Sequence, residues 1–74
     1  METNINKAFG LRVAEIRRRQ NISQEAFAFK YSLHRTYIGT IERGEKSPTL
    51  NTIEKLAKGL NVPIVELFNQ LQYD

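Results

Sequence analysis

The sequence predicts an all-α protein, a compact orthogonal bundle of five short helices, on three observations. Apolar residues recur at three- and four-residue intervals, apolar-polar alternation of period two is missing, and caps or breakers interrupt the pattern at short intervals. With 74 residues and no linker, internal repeat or low-complexity tract, residues 1–74 are expected to form one domain. A chain of this size buries only about 60% of the surface its unfolded state exposes. Its stability is therefore expected to be marginal or shared with a partner.

The first helix is expected from about Asn6 to Gln20, where Phe9, Val13 and Ile16, preceded by Ile5 and Ala8, fall on one stripe. Asn21 marks its exit. Ser23 suits the N-cap of a second helix, because its hydroxyl can accept from free amides of the next turn, and Glu25 suits the positive first turn. Phe27 and Ala28 point inward, and this helix ends near Lys30 or Tyr31. Leu33, Ile38 and Ile41 mark the inner face of a third helix, from about Arg35 to Arg43, with Gly44 at a left-handed C-cap. In "EKSPT", Pro48 blocks further helix and Thr49 caps a fourth one carrying Leu50, Ile53, Leu56, Ala57 and Leu60, closed by Asn61. A fifth helix is expected from Pro63 to about Leu71, opening with a proline that the first turn tolerates.

Charge is distributed unevenly. Through Lys46, nine Lys and Arg face five Glu, a balance of +4; from Ser47 onward two Lys face two Glu and one Asp, a balance of −1. The basic end is the one expected to meet a polyanion. Cysteine is absent and His34 is the only histidine, so neither a disulfide framework nor a thiolate metal site is available. No nucleophile-base pair or metal cluster is legible, so no catalytic residue, cofactor or metal is expected. "METNINKAFG" lacks the order of a signal peptide and the longest aliphatic or aromatic run is Ala26 to Phe29, so a cytoplasmic protein without a membrane partner is expected.

The third helix carries the chemistry. On a wheel of about 100° per residue with Ile38 at zero, Ile41 falls near 300°, while Gly39, Arg43, Thr36 and Thr40 occupy roughly 100° to 200°. Arg35 stands at one edge of that polar face and Tyr37 at the other. A helix entering a major groove needs long donors near its N-terminus, small residues where it lies closest, and flanking donors for phosphates. A solvated polar face explains the same residues less fully once the preceding segment is included. From Gln24, the series Phe27, Ala28, Ser32, Leu33, Ile38, Ile41 has the spacing of a helix-turn-helix over about residues 23–43.

"ISQEAFA" followed by "LHRTYIGTIERGEKSPTLNTIEKLAKGLNV" resembles the Xre/Cro/C1 type of helix-turn-helix regulator, a lambda-repressor-like DNA-binding domain, over about residues 8–71. "HRTYI" on so short a chain further resembles the controller proteins of restriction-modification systems, dimeric autoregulators of pseudo-palindromic operators. The resemblance implies that Arg35 and Thr36 read bases, with Gly39 and Thr40 close to the groove floor. It implies that Gln24, Tyr37, Arg43, Lys46 and Ser47 hold phosphates, with Ser23 and Asn51 as secondary candidates. Arg17 and Glu42 match a structural pair joining first and third helices in phage repressors of this type. Arg18 and Arg19 read as a solvated helix face.

Two positions depart from the family pattern. Ser32 stands where the turn usually carries Gly or Asn, and Tyr31 fills a place often occupied by a small residue. His34 is expected as a weak N-cap of the third helix or a phosphate neighbour. On the fifth helix, Leu67, Leu71, Ile64 and Phe68 form a core stripe that Val65 extends beyond what one small domain needs. Either the helix is generously packed on its own core, or Val62, Ile64, Val65 and Phe68 form a two-fold interface over about residues 63–71. A homodimer would set two recognition helices about 34 Å apart, one turn of double-stranded DNA. Glu25 or Glu42 could belong to a surface for RNA polymerase. Rival readings are a phage-type repressor, an antitoxin, or a protein-interaction domain of the same fold that does not bind DNA.

Overall fold

A computed structural model describes residues 4–30 and 33–71. Its elements are α1 (Ile5–Arg19), α2 (Gln24–Lys30), α3 (Arg35–Glu42), α4 (Leu50–Leu60) and a 3₁₀ segment (Ile64–Phe68). No strand occurs among the described residues.

Side-chain caps set the helix starts. The Asn4 carboxamide oxygen accepts from the Lys7 amide at 3.0 Å, and the Ser23 hydroxyl from the Ala26 amide at 3.0 Å. His34 Nδ1 accepts from the Thr36 amide at 3.1 Å, and the Thr49 hydroxyl from the Thr52 amide at 3.2 Å. Each satisfies an amide that the helix itself leaves free. Left-handed residues set the ends: Asn21 (φ 57°) follows α1, Gly44 (φ 75°) follows α3, and Asn61 (φ 56°) closes α4.

Phe9, Val13 and Ile16 from α1 meet Phe27 and Ala28 from α2, Ile38 and Ile41 from α3, and Ile53, Leu56, Ala57 and Leu60 from α4 in one core. Leu67 of the 3₁₀ segment is fully buried among them. The crossing of α1 on α3 is close enough that a β-carbon at Gly10 would collide with the backbone carbonyls of Ile41 and Glu42. Glycine is the residue that permits this approach. Likewise a β-carbon at Gly44 would fall 2.5 Å from Lys7 Cα, so the turn after α3 rests directly on the first turn of α1.

One expectation needs correction. The fifth helix is not an α-helix over 63–71: it is a five-residue 3₁₀ segment, and the chain leaves it extended at Asn69 (φ −71°, ψ 125°). Pro63 brings no side-chain cap, and the β-branched pair Ile64 and Val65 follows at once, so one turn forms without propagating. Among the described residues the bundle therefore has four α-helices. Leu50 is 82% exposed, because it begins α4 beyond the edge of the core. Ile5, at the start of α1, is also exposed for the same reason. Tyr31 and Ser32, the turn residues that depart from the family pattern, lie outside the described residues; beside them, the Leu33 amide donates to the Ala28 carbonyl at 2.8 Å.

Candidate nucleic-acid interface

The orientation of α3 is fixed from behind by charge. Arg17 of α1 and Glu42 of α3 are both buried and meet through two bonds, Nε to Oε2 at 2.6 Å and Nη2 to Oε1 at 3.1 Å. Arg17 Nη1 also donates to the Ile22 carbonyl at 2.7 Å, and Gln24 Nε2 donates to Glu42 Oε1 at 2.8 Å. One carboxylate thus ties the ends of α1, α2 and α3 together. The desolvation cost of such a pair is offset only when geometry and additional hydrogen bonds are good, as here. This matches the structural pair expected from the resemblance. It also removes Glu42 from any surface that could meet RNA polymerase; Glu25, which is exposed, remains available.

On the outer side, Arg35 and Thr36 are exposed in the first turn of α3, and Arg35 Nη1 lies 3.9 Å from Glu25 Oε2. The Thr40 hydroxyl donates to the Thr36 carbonyl at 2.8 Å, which leaves its lone pairs and methyl group for an external partner. Tyr37 is half-buried against the core edge, with its hydroxyl 3.4 Å from Thr52 Oγ1, a long bond that leaves the phenol able to find a better one. Gly39 is buried although the wheel turns it outward. A β-carbon there would lie 3.1 Å from Arg43 Nη1 and 3.7 Å and 3.8 Å from the Gln24 carboxamide oxygen and nitrogen, so two long side chains fold across it.

Around this helix, Arg43 is exposed and held by Glu45, Nε to Oε2 at 2.8 Å and Nη2 to Oε1 at 3.2 Å. The hydrogen bond from Arg43 holds the Glu45 carboxyl below its ordinary value, and Glu45 in turn raises the Arg43 guanidinium. Lys46 is exposed in the following loop. The Ser47 hydroxyl donates to Asn6 Oδ1 at 3.0 Å, which pins that loop to the start of α1. Asn51 is exposed in the first turn of α4, and the Ser23 hydroxyl is occupied by its cap. Arg35, Thr36, Thr40 and Arg43 share α3 and its end, with Gln24 beside Gly39 and Tyr37 on the flank of α3, while Lys46 and Ser47 lie in the following loop and Asn51 in α4.

Asn6, Glu45 and Thr52 were missed as partners of site residues. For Glu45 a signal existed, a carboxylate two positions after Arg43 across a glycine turn; Asn6 and Thr52 reach their partners only through the fold. Elsewhere, Arg19 pairs with Glu15 at 2.8 Å, and Arg12 reaches Glu15 and Glu66, each at 3.0 Å. Of the expected dimer residues, Val62 packs half-buried on the core, while Ile64, Val65 and Phe68 are exposed. The Phe68 ring rests on Phe9, with centroids 5.1 Å apart. Among the described residues no cluster of three or more His, Asp or Glu could hold a metal, and no helix is long and apolar enough to cross a membrane.

Residues 13–67 match the helix-turn-helix family HTH_3. The chain belongs to the helix-turn-helix family. Within it, control protein C.BamHI of Bacillus amyloliquefaciens is 46% identical over 70 residues, covering 93% of this chain and 86% of that protein. The restriction-modification controller protein C.AhdI from Aeromonas hydrophila is 42% identical in its crystal structure, with a TM-score of 0.81 over 84% of this chain and 94% of that one. Controller protein C.Esp1396I, solved as a tetramer in complex with its natural 35 base-pair operator, is 34% identical, with a TM-score of 0.84 over 95% of this chain and 92% of that one. The protein is a helix-turn-helix transcriptional regulator of the controller type. The helix-turn-helix of this family member runs from α2 to α3, so the polar face built above lies on its second helix.

Proposed function

We propose that this protein is an autoregulating restriction-modification controller that binds a pseudo-palindromic operator as a dimer. The observation that carries this reading is the outward face of α3, where Arg35 and Thr36 project from a first turn whose frame is locked by the buried Arg17–Glu42 pair. Arg35 can pair with O6 and N7 of guanine, and Thr36 and Thr40 can meet base edges or a thymine methyl. Gln24, Tyr37, Arg43, Lys46 and Ser47, with Ser23 and Asn51 secondarily, hold the flanking phosphates. They set register, and the base readers set sequence. The relative C.Esp1396I, as an operator-bound tetramer, supports the same mode of action here.

Dimerisation through Val62, Ile64, Val65 and Phe68 places two copies of α3 about 34 Å apart and reads two half-sites. Exposed Ile64, Val65 and Phe68 give the 3₁₀ segment an apolar outer side, which favours self-association over an isolated monomer. The basic face meets DNA in the cytoplasm, and Glu25 is the remaining candidate for meeting RNA polymerase.

The test is a gel-shift titration on the DNA immediately upstream of the protein's own gene, against unrelated competitor and over a range of salt. Two protomers per site and tight, selective binding are expected. With about 6 to 10 neutralised phosphates per dimer, raising salt from about 50 to 200 mM should cost on the order of a thousandfold in affinity. No preference for the upstream DNA would end the autoregulation reading, and no binding to any DNA would leave a protein-interaction domain of the same fold.

A further inference from the structure

Arg43 does not wait free at the edge of α3. One guanidinium nitrogen, Nη1, lies across Gly39, and the other two, Nε and Nη2, are both held by the Glu45 carboxylate. The carboxylate is itself anchored: Gly44 turns the chain at φ 75°, and the Glu45 amide donates to the Thr40 carbonyl at 3.0 Å. The result is a side chain folded back over the one position of α3 whose lack of a β-carbon would let a groove approach closely. Gly39 is buried, and a β-carbon there would lie 3.1 Å from Arg43 Nη1.

We propose that Glu45 is a positioning residue that latches Arg43 over Gly39, so that Arg43 must exchange this carboxylate for a DNA phosphate before α3 seats in the groove. The inference rests on the DNA-binding reading of α3 given above. Exchange of one anion for another has a definite signature. The patch formed by Arg43 and Glu45 carries no net charge, so it displaces fewer counterions from DNA than a lone arginine would. Glu45 therefore weakens binding and makes it less sensitive to salt. A regulator that responds to its own concentration is suited by an affinity held below its maximum.

The test is a fluorescence-anisotropy titration of two labelled duplexes, the upstream DNA and a random sequence, with wild type, Glu45→Gln, Arg43→Gln and the double variant. Both side chains are exposed, so the variants should melt close to wild type. Glu45→Gln should tighten binding about three- to fivefold, the scale of an exposed ion pair. It should also steepen the slope of log affinity against log salt by about one per protomer. In the Arg43→Gln background the gain should vanish. An equal gain in both backgrounds would mean that Glu45 acts only as a nearby negative charge, and no gain in either would equally overturn the latch. If wild type binds selectively while Glu45→Gln changes nothing, the operator reading stands and the latch falls; if wild type shows no preference between the duplexes, both fall.

Discussion

Arg17 and Glu42 face one another in the interior, 25 positions apart in sequence, with two hydrogen bonds between guanidinium and carboxylate. Their pairing carries the orientation of α1 through to α3, and it makes each charge dependent on the other. Arg17→Met would leave Glu42 buried with, among the described residues, Gln24 as its remaining side-chain partner and is expected to destabilise the fold by about 3–5 kcal/mol. Arg17→Met with Glu42→Leu, which removes both charges, should recover much of that loss. Urea unfolding of the three proteins checks this; a single variant within about 1 kcal/mol of wild type, the scale of an exposed pair, would show that the pair is not buried in solution.

Arg35 is exposed, and its ion-pair neighbour, Glu25, is at 3.9 Å. Its removal should leave the melting temperature almost unchanged. Binding to the upstream DNA should weaken by about 1–3 kcal/mol for each base that Arg35 reads, and discrimination should flatten at one position of each half-site. Titration against duplexes varied one base pair at a time checks this. A uniform loss on every duplex would reassign Arg35 to the phosphate backbone.

Val65 is 68% exposed on the 3₁₀ segment, so a charge there meets water in the monomer but an apolar surface in the proposed dimer. Val65→Glu is expected to weaken self-association at least tenfold, or about 1.4 kcal/mol. Sedimentation equilibrium reads this directly, with circular dichroism to show that the helices are kept. A dimer of unchanged strength would move the interface away from this segment.

Glu15 accepts from Arg12 at 3.0 Å and from Arg19 at 2.8 Å. The Arg12 hydrogen bond first, and then the Arg19 charge, hold its carboxyl below the ordinary value of 4.5. A group depressed in the folded state stabilises above its unfolded value, and that contribution is lost as pH falls through the folded value. Wild type should therefore be more stable than Glu15→Gln at pH near ~7, with the difference closing below ~4. Urea midpoints at several pH values check the sign; a gap that persists in acid would mean that the glutamine perturbs packing instead.

Much of the fold was legible because its boundaries are local chemistry. Ser23, Thr49, Gly44 and Asn61 act within a turn of where they stand, and each closes or opens the helix expected of it. The last segment was not legible, since an apolar stripe on a helical wheel presupposes the helix, and nothing after Pro63 secures one. The site divides in the same way. A wheel gives the direction in which Arg35, Thr36 and Thr40 leave the helix, whereas the covering of Gly39 depends on where Arg43 and Gln24 fold back, which their own turns and partners decide.

Gly10 gives the crossing of α1 on α3 a further meaning. Because backbone meets backbone there, α3 cannot shift to accommodate change, and its residues separate into two independent groups. Ile38, Ile41 and Glu42 belong to the scaffold, while Arg35, Thr36 and Thr40 hold nothing in the core. The second group can therefore be rewritten without rebuilding the first. On the proposed reading of α3, an altered set at positions 35, 36 and 40 would give a protein of the same architecture addressed to a different operator, so that a change of target would need no change of form.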